Sequence, residues 1–313
     1  WKNVMTSLHE ILHSRLQNNS VIAKQHDIGV LRITGPDAKK LLQGQTTCDM
    51  NKLSDDCGLY GAICSIKGRI VSSFYLVQSH DEVLMIMAKD LVEKTLLHLK
   101  KYAVFFKTEL VNEQDAFAVY AHITSSSTET TQATLAERLP VTQADQNITL
   151  TLGHHPLEVK WLIRREENQA DYPAIEEKHS QLAGLSMLAA RPLITLAQSD
   201  TLLPQWLNMQ STGGISFTKG CYTGQEIVAR MQYRGKSKKQ LALVTWQGQL
   251  DTTKDLLDEQ GKSIGQVFSA TYIDETGFAF VIINIEPSEA KALILDEQDV
   301  TLLALPYTVG AKN

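Results

Sequence analysis

The chain has 313 residues, 43% of them hydrophobic, with a net charge of −5 and a pI near 6.0. That length allows two or three domains with real cores, and the acidic balance argues against a protein whose main business is holding duplex nucleic acid. No apolar run approaches a membrane span, and four cysteines without paired spacing or a preceding secretory segment point to a reducing, cytoplasmic compartment. The opening Trp1 suggests a start displaced from the natural one, for which Met5 is a candidate; residues 2–15 match a mitochondrial presequence poorly because Glu10 interrupts their basic character.

In chain order, residues 29–34 read as a strand, and Gly35-Pro36-Asp37 turns it into a short helix ending near Leu42. Residues 62–66 and 70–76 form a hairpin around Lys67-Gly68, with 83–87 as the next strand. Asp90 is placed to cap a helix whose Val92, Leu96 and Leu99 share one face, a core face rather than a partner site. Residues 124–132 are nearly all Ser, Thr, Glu and Gln and read as an exposed loop. Strands near 148–152 and 159–163 lead to an apolar helix over 181–190. Past Arg234-Gly235 the pattern is strands only, at 240–246, 263–268, 277–283 and 300–305, which predicts a separate antiparallel barrel or sandwich from near residue 236. Gly235 followed by Lys236, Lys238 and Lys239 suits a hinge, although a charge run is usually a solvated face.

The stretch Lys219-Gly220-Cys221-Tyr222-Thr223-Gly224-Gln225-Glu226, continuing into Ile227-Val228-Ala229-Arg230, sets a single cysteine before a helix. Thr223 and Glu226 have capping-box spacing, so Thr223 is expected as the N-cap of a helix carrying Ile227, Val228 and Met231 inward. Cys221 then stands two residues before the cap, where the helix dipole and the Lys219 ammonium favour a thiolate, the nucleophilic and metal-binding form. The same residues equally allow Cys221 a packing role in a tight Gly-x-x-x-Gly turn. Cys48, Cys57 and Cys64 lie in or beside apolar strand patterns, where burial raises a thiol pKa. They also lack the Cys-x-x-Cys spacing of a zinc site or resident cluster, so no metal site is expected; a transient cluster on Cys221, shared with a partner or second subunit, stays open.

The octapeptide resembles the signature of the YgfZ family, folate-binding proteins related to the T-protein of the glycine cleavage system. Leu31-Arg32-Ile33-Thr34-Gly35-Pro36-Asp37-Ala38 and Leu42-Gln43-Gly44-Gln45-Thr46-Thr47-Cys48-Asp49 are similar to the family's amino-terminal block, and Lys67-Gly68-Arg69 to its lysine–glycine turn. Leu99-Lys100-Lys101-Tyr102-Ala103-Val104-Phe105, Leu203-Pro204-Gln205 with Asn208, Gly213-Gly214-Ile215-Ser216-Phe217 and Leu305-Pro306-Tyr307 follow in order, nearly end to end.

The resemblance implies an α+β, GcvT/YgfZ-like fold: two α+β subdomains around a central folate cavity, in residues 1–235, and a C-terminal antiparallel β-barrel in 236–313 that closes over it. It implies tetrahydrofolate or a one-carbon derivative as cofactor, with Asp49, Gln205, Tyr222, Gln225, Glu226 and Arg230 beside it and Cys221 and Lys219 as the reactive pair. Each polar contact has a plain alternative: Glu226 as a helix cap, Arg230 on a solvent face, Asp49 as the cap of the next turn. Ile28 and Leu182 stand where some relatives carry aromatic residues, so affinity for folate is expected to be about micromolar or weaker.

T-protein itself has an aspartate pair where this chain has Ile70-Val71-Ser72-Ser73, a glutamate at Gln205 and no cysteine in the octapeptide. A glycine-cleavage role is therefore not expected. The resemblance implies instead an accessory protein for the synthesis or repair of iron–sulphur enzymes, including those that thiolate tRNA, with those enzymes or assembly proteins as partners and no direct stable nucleic-acid or membrane binding. A folate-dependent aminomethyl or one-carbon transferase and a non-catalytic folate-gated scaffold are the alternatives.

Overall fold

The computed structural model describes residues 20–125, 138–144, 147–153, 157–165, 191–233, 238–273, 275–290, 292–305 and 307–309. The expected helix over 181–190, Leu182 and the glycine hinge at Gly235 lie outside them, as do the termini and most of 124–132.

Ten strands form the first sheet: β1 (Val21–Lys24), β2 (Ile28–Thr34), β3 (Cys57–Cys64), β4 (Ile70–Ser79), β5 (Glu82–Ala88), β6 (Glu109–Asn112), β7 (Phe117–Ser125), β8 (Arg138–Ala144), β9 (Asn147–Gly153) and β10 (Leu157–Arg165). Their order is β1-β7-β10-β9-β8-β3-β4-β5-β2-β6, all pairs antiparallel. In a flat sheet β1 and β2 would stand about 38 Å apart, at about 4.8 Å per strand. Residues 25–27 alone join them and reach about 15 Å at most, so the sheet curls until its two ends approach. Each half has its own burial pattern. β3 is buried at every position and β4 and β5 at most, because both faces are covered, whereas β10 alternates buried Val159, Trp161 and Ile163 with half-exposed neighbours and so keeps one wet face.

The second sheet carries β11 (Gln240–Gln247), β12 (Asp255–Leu257), β13 (Ser263–Ile273), β14 (Thr276–Ile283), β15 (Ile294–Leu295), β16 (Gln298–Asp299) and β17 (Thr301–Leu303) in the order β16-β15-β12-β13-β14-β11-β17. Its two edge strands are separated in sequence by Val300 alone, so this sheet rolls into a nearly closed barrel, as the strand-only pattern predicts. Strand β11 shows why the barrel sits where it does. Ala242, Val244 and Trp246 point into the barrel core, while Leu241 and Leu243 pack with Phe278, Phe280 and Leu303 against the core of the ten-stranded sheet.

The segment from Arg191 to Tyr222 threads between the sheets. Tyr60 and Tyr75, rings 5.3 Å apart, donate their hydroxyls to the carbonyls of Pro192 (2.7 Å) and Arg191 (2.8 Å). The buried Arg191 guanidinium donates to the carbonyls of Thr212 and Leu152. Asn208, at φ 54°, ends a 3-10 helix over Pro204–Leu207 and locks the barrel on: its amide donates to the Leu241 carbonyl (3.0 Å) and the Tyr307 hydroxyl (3.1 Å), and accepts the Leu241 N–H (3.3 Å).

Two local expectations are corrected. Asp90 does not cap helix α2 (Val92–Ala103), which starts with no side-chain cap; its carboxylate accepts the Leu196 N–H instead, tying this helix to the threading segment. Thr124 belongs to β7, paired with Glu158, and the loop reading fails there because composition does not register the pairing partner.

Asn208→Ala is expected to cost about 2–4 kcal/mol, since it strands the buried Leu241 groups and the Tyr307 hydroxyl and leaves a Cβ residue in the left-handed region. Asn208→Gly should recover up to about 1 kcal/mol of that through backbone freedom alone. Urea unfolding of the three proteins reads both differences, and an alanine variant as stable as the parent would show that Asn208 is no lock.

Candidate functional site

Between α1 (Ala38–Gln43) and β3, the chain turns back on itself with three carbonyls aimed at one point. The Lys219 ammonium fills that point, donating to the carbonyls of Gln43 (2.8 Å), Thr46 (2.7 Å) and Cys48 (2.7 Å) with only 8% of the residue exposed. Burial pulls its pKa down to about 8, with Cys48 and Asp49 pulling the other way. All three carbonyl contacts favour the charged form. Thr47 closes the other side of the loop: its hydroxyl donates to the Gly214 carbonyl and accepts the Ala62 N–H, while Ser216 N–H donates to the Thr47 carbonyl.

Asp49 behaves as its plain alternative requires. It caps a short 3-10 turn over Met50–Lys52, and one oxygen accepts from the Asn51 N–H, the Asn51 amide and the Gln43 amide. Burial works against ionisation, but these donors and the Lys219 ammonium outweigh it and hold the carboxyl below its usual range. Tyr222 is buried with its ring 5.2 Å from the Lys219 ammonium, and burial pushes its hydroxyl pKa well up.

The octapeptide helix departs from the capping-box expectation. Helix α3 spans Gln225–Tyr233, and the Thr223 hydroxyl donates to the Gln45 side chain instead of capping it. The start of α3 is set by packing. Gly224, at φ 84°, lies so close to the Ser65 carbonyl that a Cβ would overlap it, and Gly68, at φ 70°, leaves room for Ile227. A Gly-free turn could not seat the helix on the β3–β4 hairpin. Val228 is buried, whereas Ile227 and Met231 are half-exposed.

Cys221 is exposed, and Cys48, Cys57 and Cys64 are buried. Burial pushes the thiols of Cys48 and Cys64 up, the latter to about 12. Lys219, two residues from Cys221, directs its ammonium to the loop carbonyls.

Gln205 is buried; its amide N–H donates to the Val228 carbonyl (2.8 Å), and its Oε1 has no partner. The structure thus gathers Lys219, Tyr222 and Asp49 about the loop and joins Gln205 to α3, while Glu226 and Arg230 are exposed on that helix and Gln225 is half-exposed. Ile28 packs against the hydrophobic core from the start of β2. Among the described residues no group of three or more His, Cys, Asp or Glu could hold a metal ion, and no helix is long and apolar enough to cross a membrane. Sequence reasoning missed Thr47 and Gln43, although both stand in the quoted Gln43 to Asp49 block. It also missed Trp206, whose ring lies 4.9 Å from the Arg69 guanidinium and 4.3 Å from the Lys239 ammonium.

No protein-family model matches the chain. A protein of Photobacterium profundum described as tRNA-modifying protein YgfZ is 32% identical over 311 residues, covering 91% of each chain. Proteins of the same description from Colwellia psychrerythraea (31% over 305 residues, 91% of this chain and 93% of its own) and Escherichia coli (30% over 302 residues, 90% and 92%) agree. Among solved structures, the glycine cleavage system aminomethyltransferase T from Bartonella henselae superposes with a TM-score of 0.62 over 95% of this chain and 89% of its own, at 11% identity, a likeness that shows the fold alone. With that GcvT-like fold and 30–32% identity to YgfZ proteins over some 90% of its length, this chain belongs to the YgfZ family.

Proposed function

We propose that this protein is a folate-binding accessory factor for the synthesis or repair of iron–sulphur enzymes, including tRNA-thiolating ones, and that it acts through Cys221. The observation that carries this is the contrast among four cysteines: the one within the YgfZ octapeptide is exposed and the other three are buried. The division into a folate-binding region, 1–235, and a closing barrel, 236–313, goes with this proposal.

For folate, the support is a buried acceptor in need of a donor. Gln205 Oε1 is unpaired at a position where a pterin or amide N–H would satisfy it, and an unmade hydrogen bond of this kind costs about 1–3 kcal/mol. Tyr222 and Asp49 would line the same region, with Gln225, Glu226 and Arg230 toward solvent. Tetrahydrofolate, when bound, supplies a carrier for one-carbon units. A transferase of the T-protein type is disfavoured by the strand at 70–73: Ile70 and Val71 are buried core residues, and the Ser73 hydroxyl accepts the Ile194 N–H. Carboxylates there would have to be buried, a heavy cost.

Three measurements test the proposal. Tetrahydrofolate should raise the melting temperature progressively with concentration, as a ligand of the folded state does; a flat calorimetric titration at about millimolar ligand rejects folate binding. Iodoacetamide should label Cys221 far faster than the buried thiols near neutral pH, read by peptide mass spectrometry, and Cys221→Ser should abolish support of iron–sulphur enzyme activity with folate binding intact. Equal labelling rates return Cys221 to a packing role.

Lys219→Met should cost about 2–4 kcal/mol, because three carbonyls lose the Lys219 hydrogen bonds and, among the described residues, only that of Cys48 keeps another donor, the Thr46 hydroxyl. Since burial lowers the Lys219 pKa, the unfolded chain holds this proton more tightly than the folded one. Native stability therefore gains as pH rises from about 8 toward the ordinary lysine value, and the methionine variant should lack that slope. Equal stability of the two proteins near neutral pH would remove Lys219 from its anchoring role, and parallel curves across this range would remove the lowered pKa.

A further inference from the structure

One face beside Cys221 departs sharply from the acidic character of the chain. The turn of the β3–β4 hairpin supplies Lys67 and Arg69, helix α3 supplies Arg230, and the entry to β11 supplies Lys238 and Lys239. On these elements and the 3-10 helix over Pro204–Leu207, Glu226 is the lone carboxylate among the described residues. The elements are physically joined: Gly68 packs on Ile227, Gln205 bonds the Val228 carbonyl, and the Trp206 ring holds Arg69 at 4.9 Å and Lys239 at 4.3 Å. Two large apolar side chains also stand out to solvent here, Ile66 at 80% exposure and Tyr233 at 73%. Gly224, three residues beyond Cys221, touches the same turn at Ser65 and Gly68.

We propose that this face docks an acidic protein surface and brings it onto the Cys221 thiol; this rests on Cys221 being the working thiol. Cations interspersed with exposed apolar groups are complementary to a partner carrying carboxylates around an apolar contact, and such charge steers association and fixes orientation. Single-stranded RNA fits less well. It stacks bases on open aromatic faces, whereas the Trp206 ring is engaged by two cations and Tyr233 meets Phe217 edge-on at 6.0 Å. The aliphatic Ile66 offers a nucleic acid little.

A fluorescently labelled glutamate-rich peptide carrying leucines is the probe, with an unstructured RNA oligonucleotide as the competing one, both followed by anisotropy at low and raised salt. The peptide should bind more tightly than the RNA and weaken as salt rises. Lys67→Glu should lower its affinity about tenfold and Ile66→Ser several-fold, while Lys100→Glu, on α2, leaves it unchanged. Both test positions are exposed, so these variants keep the fold. Equal binding by the Lys67→Glu protein, or preference for RNA, overturns the proposal. The readout is binding without folate and is repeated on Cys221→Ser protein, so loss of thiol chemistry or of folate binding leaves it standing, and its own failure leaves those results standing.

Discussion

A buried ammonium ties the start of the octapeptide to the rest of the molecule. Lys219 reaches carbonyls 171 to 176 residues away in sequence, and through them fixes a loop whose next residue, Thr47, bridges β3 and the segment at Gly214. Closing so long a loop is entropically costly, but the cost grows only slowly with length, and three charge-assisted hydrogen bonds in a buried setting offset part of it. Tyr222, Asp49 and Cys48 take their surroundings from the same loop. Lys219 therefore acts on architecture through these carbonyls.

The curl of both sheets sets the stage for this. The short connection between β1 and β2 bends the ten-stranded sheet, and the near-contact of β16 and β17 rolls the other, so the segment 191–224 is left as the thread between two convex bodies. Its polar backbone could not be buried there without partners. Tyr60, Tyr75, Arg191, Thr47 and Asn208 supply them, each from a different direction.

The fold is shared with an aminomethyltransferase, yet the site is not thereby shared. Where T-protein relatives carry an aspartate pair, this chain has the buried, uncharged Ile70, Val71, Ser72 and Ser73. Function on a common scaffold follows the polar groups each chain keeps; here Cys221 is exposed, and Gln205 keeps a buried oxygen without a partner.

Much was legible in the sequence. Strands β2, β4 and β5, the end of β3, the apolar face of Val92, Leu96 and Leu99, the strand-only barrel and the family follow from local periodicity, turn residues and motif order, since period-2 and period-3.6 burial are written residue by residue; β3 itself runs Cys57–Cys64, earlier than the 62–66 read from sequence. The burial of Cys48, Cys57 and Cys64 follows from the same patterns. Other features came only from tertiary structure. Thr223 and Glu226 have capping-box spacing, but the Thr223 hydroxyl found Gln45; Asp90 precedes a helix but found Leu196. Lys219 stands beside Cys221 in sequence and turns to a loop far away in the chain. The reason is common to all three. A capping side chain or an ammonium chooses among every donor or acceptor the fold brings within about 3 Å; local spacing names one candidate, and only the folded chain presents the others.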